Sequence, residues 1–455
     1  MIQRTKWIVL ASVTSFLLIS SCGVPVHNVT CNPTLESQQP SQSDSIEIAI
    51  HVDGSGSMLG YVTNNTSRYI QALKLLDDTF SLGGSRPKQT VTYYRSGTDS
   101  PQITRSDFRK AQLPEFYDGS NPKFPGVSSG IDAAITPPEN GDKLFVMVTD
   151  LYQNNADVTL LNKKIKETYL NQERKGYAVG IVAIKSEFNG TVYHEVGNTL
   201  ETFPYTTEGK KPEQFRPFYI LFLGPYKDIS YYFDKLKRDG GQLLEDSKFI
   251  IFSPENLVSK PFYISEAEQP LPQDLKQPDS LNNGKIAIEV ENNENFQLLE
   301  IDRNSTEEFK INYNVVFNPV NYGLTLESNS IDVNFKIKAF DIWEKQFKDQ
   351  SNNSPAKTAL QLNEWKQTDN QLSFVTTLRP DSFPEAGIYL FTVDVVAKSL
   401  QEPAWWEDWT ASSENDGSKT HNLSSFLKGL KIMTTELMEK NPPVIGHFCY
   451  AIQKN

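Results

Sequence analysis

Residues 46–57 read Ile-Glu-Ile-Ala-Ile-His-Val-Asp-Gly-Ser-Gly-Ser, and this stretch decides the fold. Apolar side chains recur at every second position from Ile46 to Val52, which predicts a β-strand. The strand ends at Asp53, and Ser55 and Ser57 follow in a D-x-S-x-S pattern. Ligands of open α/β sheets bind at the edge where the parallel strands end. One carboxylate and two hydroxyls at that edge are spaced to meet a single hard cation.

The chain after this turn alternates between helix-like and strand-like segments. An apolar stripe at Tyr69, Leu73, Leu76 and Phe80 predicts a helix, and strand-like segments follow at residues 90–94, 143–149, 177–184 and 218–223. The run 143–149 has no polar break after its first residue, as expected of a strand that is covered on both faces. Residues 46–254 therefore form a predicted α/β domain.

Three separated motifs in this domain resemble the metal-ion-dependent adhesion site of von Willebrand factor A (vWA) domains. Asp53, Ser55 and Ser57 match the first motif, and Asp150, at the end of a buried strand, matches the later aspartate. Residues 126–134, Gly-Val-Ser-Ser-Gly-Ile-Asp-Ala-Ala, are similar to the middle motif, with Ser128 or Ser129 in place of its threonine. The resemblance implies a Rossmann-like domain whose central, mostly parallel sheet carries helices on both faces.

The resemblance also implies a function. Hydroxyl and carboxylate ligands suit Mg²⁺ best, with Mn²⁺ or Ca²⁺ as alternatives, whereas zinc would require a Cys or His cluster near these residues. In the family, an acidic side chain of a partner protein completes the coordination of the ion. Two simpler interpretations are that D-x-S-x-S is only a Gly/Ser turn, or that it is a family relic without an ion.

A hydrolase is a competing interpretation, because Gly126-Val127-Ser128-Ser129-Gly130 fits the G-x-S-x-G nucleophile elbow. Asp150 and His194 follow in the required order. The motif requires a strand running directly into the serine turn, however, and the preceding residues 117–125 are rich in turn formers. We therefore expect no catalytic residues and a protein that is not an enzyme.

The N-terminus predicts the cellular compartment. Arg4 and Lys6 precede an apolar stretch, and Ile19-Ser20-Ser21-Cys22 resembles the lipobox of a bacterial lipoprotein signal. The resemblance implies cleavage after residue 21 of the 1–22 signal, a lipid on Cys22 and attachment to the cell envelope, at the outer membrane if the cell has one. An ordinary secretory signal or a short span is the alternative, although the apolar stretch is short for a span.

Net charge limits the kinds of partner that the protein can bind, and the cysteine content allows one disulfide. The formal net charge is −12, and removal of Arg4 and Lys6 with the signal makes it −14, which opposes binding to nucleic acid. Of the three cysteines, Cys31 and Cys449 remain after lipidation of Cys22. A disulfide between them is compatible with export, and two unrelated thiols are the alternative.

The remaining segments differ in composition and in the pattern of their apolar residues. Residues 23–45 are rich in Pro, Ser, Gln and Asn and predict a flexible tether, and residues 255–283 predict a linker. Alternating short strands in 284–399 predict an all-β, immunoglobulin-like sandwich, in which Tyr389 and Phe391 resemble an F strand. Residues 400–455 predict an aromatic and helical C-terminal segment. Its Trp405, Trp406 and Trp409 form either an exposed platform or, as we expect, a seal between domains.

These inferences predict a lipid-anchored, exported binding protein that recognises an unidentified protein through a bound divalent cation. The runner-up function is a structural role in the envelope with a metal motif that does not function.

Overall fold

The computed structural model describes residues 24–31, 45–81, 88–138, 142–152, 158–196, 199–264, 267–290, 295–351, 353–368, 370–411 and 415–455. The predicted signal, the predicted lipidation site Cys22 and residues 32–44 of the predicted tether lie outside these ranges. Within them, no helix is long and apolar enough to cross a membrane.

The strands of the first half are β1 (Val26–Val29), β2 (Ser45–Asp53), β3 (Lys88–Ser96), β4 (Gln102–Ile103), β5 (Lys143–Thr149), β6 (Tyr177–Ser186), β7 (Asn189–Val196), β8 (Thr199–Thr206), β9 (Arg216–Pro225) and β10 (Lys248–Phe252). Those of the second half are β11 (Leu275–Lys276), β12 (Leu281–Asn282), β13 (Ala287–Val290), β14 (Phe296–Ile301), β15 (Phe309–Val316), β16 (Ile331–Asp341), β17 (Gln346–Asp349), β18 (Leu360–Thr368), β19 (Gln371–Leu378), β20 (Gly387–Ala397) and β21 (Val444–Lys454). The α-helices are α1 (Arg68–Ser81), α2 (Arg105–Arg109), α3 (Ile131–Ala134), α4 (Val158–Thr168), α5 (Tyr226–Gly240), α6 (Trp405–Asp408) and α7 (Leu423–Lys440).

A seven-stranded sheet in the order β10-β6-β9-β5-β2-β3-β4 contains every strand predicted for the α/β domain. β2 lies parallel to β3 and β5, but β9 is antiparallel to both β5 and β6, and β10 is antiparallel to β6. The expectation of a mostly parallel sheet is therefore wrong. β6 returns to β9 through the β7–β8 hairpin rather than through a crossover helix, and a parallel neighbour would require such a crossover.

Helices cover both faces of this sheet. α1 and α5 pack together on one face, where Leu73 and Phe233 join the same apolar core as the Ile48 side of β2. α4 and α7 pack on the other face, where Ile165 and Leu430 share a second core with the Phe145 side of β5. The second face is thus completed by a helix that lies more than 250 residues later in the chain than α4.

The second half is a β-sandwich. A six-stranded sheet, β11-β14-β21-β20-β16-β17, faces the three-stranded sheet β15-β19-β18. Phe374 of the smaller sheet lies 6.1 Å from Phe448 of the larger one, measured between ring centroids, and the Thr376 hydroxyl bonds that of Tyr450 at 3.1 Å. The Tyr389 hydroxyl, in the strand that resembles an F strand by sequence, donates to the carbonyl of Glu385 at 3.0 Å.

Two predicted segments differ from the structure. The C-terminal segment, predicted to be aromatic and helical, contains α6 and α7 but ends in β21, which pairs with β20 and β14 in the middle of the six-stranded sheet. The alternating pattern of this strand is obscured because all residues from Ile445 to Gln453 are buried. The predicted tether also contains β1, which pairs in parallel with β13. Its polar composition concealed a strand because only one edge of β1 is paired.

A disulfide joins the two ends of the described chain. Cys31, just after β1, is bonded to Cys449 of β21, with Cα atoms 5.8 Å apart. Both cysteines are buried, and they lie in a small core with Ile288 and Phe296. The bond therefore fastens the N-terminal strand to the outer face of the six-stranded sheet.

The tryptophan cluster is mostly buried. Trp406 is 1% exposed and Trp409 is 9% exposed, whereas Trp405 is half-buried and packs edge-on against Trp409. The Trp406 ring lies 5.9 Å from that of Phe252 in β10. These side chains belong to a core that extends from the seven-stranded sheet into the sandwich. This arrangement corresponds to a seal rather than an exposed platform.

We expect removal of the disulfide to destabilise the protein. The Cys31→Ser/Cys449→Ser variant should lose roughly 2–5 kcal/mol of unfolding free energy, because the bond closes a very long loop in the unfolded chain. Chemical denaturation with and without a thiol reductant measures this loss. The reductant should lower the stability of the parent protein and leave that of the double variant unchanged; equal stability of all four samples would contradict the prediction.

Candidate functional site

The first component of the site is the turn that follows β2. The Asp53 carboxylate lies at the strand end and is 1% exposed, and its Oδ1 accepts the backbone N–H of Ser55 at 3.0 Å. The Ser55 and Ser57 hydroxyl oxygens are 3.1 Å apart. A 3₁₀ turn, Gly56–Tyr61, carries Ser57 in its first residues. The D-x-S-x-S spacing therefore directs all three polar side chains to one side of the strand end.

Arg95, at the end of the neighbouring strand β3, holds this turn in place. Its guanidinium donates to the Gly54 carbonyl at 3.0 Å and to the carbonyls of Phe116 and Pro125 at 3.0 and 2.8 Å. A Cβ atom at Gly54 would lie 2.6 Å from Arg95 Nε, so a side chain there would collide with the guanidinium. Arg95 thus connects the first motif to the loop that precedes the middle motif.

The second component comes from the end of β5. The Thr149 hydroxyl donates to Asp53 Oδ2 at 3.0 Å, and Asp150 Oδ1 accepts the Ser57 hydroxyl at 3.2 Å and the Tyr152 N–H at 3.1 Å. Leu151 has φ of +61°, a conformation that is unusual for a branched residue and is concentrated at functional sites. This backbone turn brings Tyr152 N back to the Asp150 carboxylate.

The third component is Ser129, and the two candidate serines now differ clearly. Ser129 is buried, and its hydroxyl is placed to donate to Asp53 Oδ2 at 3.0 Å or, by rotation, to the Tyr152 carbonyl at 2.7 Å. Ser128 is exposed. The structure therefore brings together Asp53, Ser55, Ser57, Ser129 and Asp150, and it leaves Ser128 outside the cluster.

A buried arginine that the sequence did not point to completes the cluster. Arg216, the first residue of β9, donates from Nη2 to Asp150 Oδ2 at 3.2 Å, and the side chains of both residues are almost fully buried. Burial opposes the charge of Arg216, but the neighbouring Tyr61 and Asp150 raise its pKa above the ordinary value. Asp150 thus presents one oxygen to Arg216 and the other to the serines.

The outer side of the cluster faces a narrow cleft. Tyr152, Tyr193, His194 and His421 line it together with Asp150 and Arg216, and its cavity of about 20 Å³ has room for about one water molecule. The rings of His194 and His421 stack at 4.4 Å. The cleft separates the cluster from the β7–β8 hairpin on one side and from the 420–422 loop on the other.

The geometry does not favour the nucleophile elbow. The residues before Ser128 form turns and extended coil rather than a strand. Ser128, the serine at the elbow position, is exposed, and the ring of His194 stacks on that of His421.

The donor set fits a small hard cation. Neighbouring ligands of an octahedral Mg²⁺ ion, each about 2.1 Å from it, are about 3 Å apart. The Ser55–Ser57 and Ser57–Asp150 oxygen separations of 3.1 and 3.2 Å match this value. Cys31, His447 and Cys449 also lie close together in the described residues. The two sulfur atoms of this group are bonded to each other in the disulfide.

The electrostatics of the cluster also favour a cation. Burial and, to a smaller extent, the nearby Asp150 carboxylate raise the pKa of Asp53 to about 6, against hydrogen bonds from Ser55 and Thr149 that lower it. Arg216 pairs with Asp150, and the buried Arg95 acts on Asp53 through its charge without bonding the carboxylate. The hydrogen-bond donors to Asp53 are neutral groups, so a bound cation would favour the ionised form of this carboxylate.

Sequence reasoning missed Thr149, Arg95 and Arg216. The expected parallel arrangement would have placed the start of β9 at the far edge of the sheet. Because β9 is antiparallel, Arg216 lies at the same edge as the ends of β2 and β5. The sequence signal for Arg216 was its position as a charged residue at the start of the otherwise apolar strand β9. Arg95 and Thr149 had a similar signal, since each is a polar residue in the last two positions of a strand.

Comparisons with known proteins give little further information. Neither protein-family models nor curated proteins yield a match. One similar solved structure is described as an aerotolerance-related membrane protein from Bacteroides fragilis with multiple mutations to serines; it is 16% identical, covers 43% of this chain and 89% of that chain, and has a TM-score of 0.20. Another is the CupB6 tip adhesin from Pseudomonas aeruginosa, 7% identical, covering 62% and 87%, with a TM-score of 0.13. Similarities this low carry no argument about function.

The Arg216–Asp150 pair should be strongly coupled. Arg216→Met should cost about 3–5 kcal/mol of unfolding free energy, because it leaves a buried carboxylate without its partner. Arg216→Met/Asp150→Asn should be more stable than Arg216→Met alone, since no unpaired charge remains. Urea denaturation of the parent protein, Arg216→Met, Asp150→Asn and the double variant measures the coupling. The exposed pair Arg379–Glu308, only 2.8 Å apart, is a matched control that should contribute less than about 1 kcal/mol; additive effects at Arg216 and Asp150 would refute the coupling.

The metal-free protein should become more stable on mild acidification. The native pKa of Asp53 is about 6 and its unfolded value 3.8, so the native state binds the proton more tightly. Its contribution to the unfolding free energy therefore rises as the pH falls through 6 toward 4, by up to roughly 3 kcal/mol.

Denaturation in EDTA at a series of pH values measures this contribution, and Asp53→Asn should remove it. Asp118→Asn, at an exposed aspartate, should keep the rise seen in the parent protein. An Asp53→Asn profile that retains the full rise would show that another group is responsible.

Proposed function

We propose that this chain is a lipid-anchored, exported binding protein whose α/β domain is of the von Willebrand factor A type and holds a divalent cation, with Mg²⁺ preferred. The observation that carries the proposal is the convergence of oxygen donors from three separated segments at the end of β2. Ser57 bonds Asp150 across 93 residues, and Ser129 bonds Asp53 across 76.

Each residue has a distinct role in the proposal. The Ser55 and Ser57 hydroxyls and Asp150 Oδ1 would hold the cation directly, because their separations match those of neighbouring ligands. Asp53, with Ser129 and Thr149 bonded to Oδ2, orients the turn and supplies negative charge. Once bound, the cation offers a positive centre to an acidic group of another protein.

The partner reaches this position through the cleft beside Asp150. Five polar side chains of the cluster are no more than 5% exposed, so direct access from solvent is limited. Tyr193 lies near Gly56 on the cleft side, with its hydroxyl 3.8 Å from the position of a Cβ at Gly56. Movement of the β7–β8 hairpin would widen the cleft for an incoming carboxylate.

The proposed compartment rests on the N-terminal signal features and agrees with the disulfide. Disulfides persist in exported proteins and are rare in the cytosol. Cys31 lies only nine residues after the proposed lipidated Cys22. The net charge of −12 makes nucleic acid an unsuitable partner.

A structural envelope role without a bound ion is the second candidate, and one observation favours it. Arg216 already pairs with Asp150, so part of the charge that would attract a cation is compensated within the protein. Under this alternative, partner binding would be independent of divalent ions.

Direct ion binding distinguishes the two candidates. We expect the parent protein to bind Mn²⁺, followed by electron paramagnetic resonance and by competition with Mg²⁺. Ser57→Ala should weaken binding by about tenfold or more, since a lost contact with a charged group costs on the order of 1.5–3 kcal/mol. Asp53→Ala should also weaken binding, because it removes negative charge and the bond that orients the turn.

Ser129→Ala and Ser128→Ala form a matched pair. The first removes a hydroxyl bonded to Asp53 and should weaken ion binding, whereas the second changes an exposed residue and should leave it unchanged. Equal effects of the two substitutions would contradict the assignment of Ser129. Absence of Mn²⁺ binding to the parent protein would reject the cation site and leave the structural role.

Partner recovery tests the binding function itself. We expect a protein recovered from envelope extract with Mg²⁺ to be lost both in EDTA and with Asp53→Ala. Recovery that is unchanged in both conditions would support the structural role instead.

A further inference from the structure

The β16–β17 hairpin ends in an exposed apolar tip. Trp343 in its turn is 88% exposed, and the adjacent Ile342 is 37% exposed. β17 is the edge strand of the six-stranded sheet, so the turn projects from the border of the sandwich. Exposure of a whole indole is costly in water, and an exposed indole indicates a surface that meets another phase or molecule.

This tip is ordered and electrically balanced. Asp341 Oδ1 accepts the N–H groups of Trp343 and Glu344 at 2.8 and 3.0 Å, which fixes the turn. Lys348 pairs with Asp341 at 2.7 Å and with Glu344 at 2.6 Å. With Lys345 also in the turn, two cations balance two anions. The tip therefore presents Trp343 on a fixed support without the negative charge of the rest of the chain.

The N-terminal strand runs toward the same tip. Cys31 is bonded to Cys449 of β21, and Cys449 pairs with Thr392 of β20. Thr392 in turn pairs with Lys336 of β16, so Cys31 is level with Lys336 across the sheet. His27 lies 5.4 Å from Phe340, measured between ring centroids. The four-residue step from Cys31 back to His27 therefore runs alongside the four-residue step from Lys336 forward to Phe340.

The continuation of this path reaches the tip region. Phe340 directly precedes the turn that carries Trp343. Cys22 is only five residues before His27, a reach of at most about 17 Å. A lipid on Cys22 would therefore enter a bilayer within a short distance of Trp343.

We propose that the tip formed by Ile342 and Trp343 lies in the interface of the membrane that holds the lipid anchor, and that it fixes the orientation of the protein on that membrane. This inference rests on the anchor in the proposed function. Indole rings prefer the headgroup level of bilayers, where the apolar ring and the N–H group are both accommodated. A flexible lipid tether alone leaves orientation free, whereas a second contact beside it restricts rotation.

The test uses the full lipidated chain in vesicles of phosphatidylethanolamine and phosphatidylglycerol, with and without phospholipid brominated near the glycerol. Bromine quenches indoles located at the interface. We expect bromination to lower the tryptophan emission of the parent protein, and Trp343→Phe to abolish most of that decrease. Trp365→Phe is the control, because this indole stacks on Phe374 within the sandwich and its removal should leave the decrease intact.

Several outcomes would overturn the inference. The inference is wrong if bromination leaves the tryptophan emission of the parent protein unchanged. It is also wrong if the decrease in emission persists in Trp343→Phe. A shift of the Trp343 emission with protein concentration in the absence of lipid would assign the tip to a second copy of the chain instead. Circular dichroism of each variant confirms that the fold is retained.

The anchor is measured separately in the same samples. The mass of the N-terminal peptide reports whether Cys22 carries acyl groups. Protein that carries the lipid but shows no Trp343 quenching rejects the tip alone. Protein without the lipid and absent from the membrane fraction rejects the proposed anchor and, with it, the inference.

Discussion

The candidate site depends on the compensation of buried charge at the end of the seven-stranded sheet. Asp53 and Asp150 are both buried, the guanidinium of Arg216 pairs with Asp150, and that of the buried Arg95 acts on Asp53 through its charge. The antiparallel direction of β9 makes the first of these contacts possible, because it places the first residue of that strand beside the last residues of β2 and β5. Asp53 accepts its hydrogen bonds from neutral donors, so a proton or an additional cation stabilises this buried carboxylate, which links the fold of the sheet to its proposed chemistry.

A second constraint is that late segments of the chain complete structures begun by early ones. α7 covers the face of the first sheet beside α4, and β21 lies between β14 and β20 in the sandwich. Trp406 packs beside Phe252 in the same continuous core. The first sheet and the sandwich are therefore joined by shared apolar packing rather than by a flexible connection.

The sequence was sufficient for elements with strong periodicity. β5 was predicted at its observed bounds, and the strands near residues 46–52 and 177–184 were predicted closely, because alternation and apolar runs are local signals. The proximity of Asp53, Ser57 and Asp150 followed from their positions at strand ends. Strand direction, the role of Arg216 and the choice of Ser129 over Ser128 depend on distant pairing, which local patterns do not encode. β1 and β21 were also missed. β1 is a strand of only four residues in a polar segment, and β21 is buried on both faces and shows no alternation in burial.

The central position of β21 has a consequence for biogenesis. Synthesis delivers a chain from its N-terminus, so β14 and β20 emerge before the strand that lies between them. Until residues 444–454 arrive, each of these two strands exposes an unpaired backbone edge, and Cys31 has no access to its disulfide partner 418 positions away. Completion of the sandwich is therefore a late event in the folding of the chain.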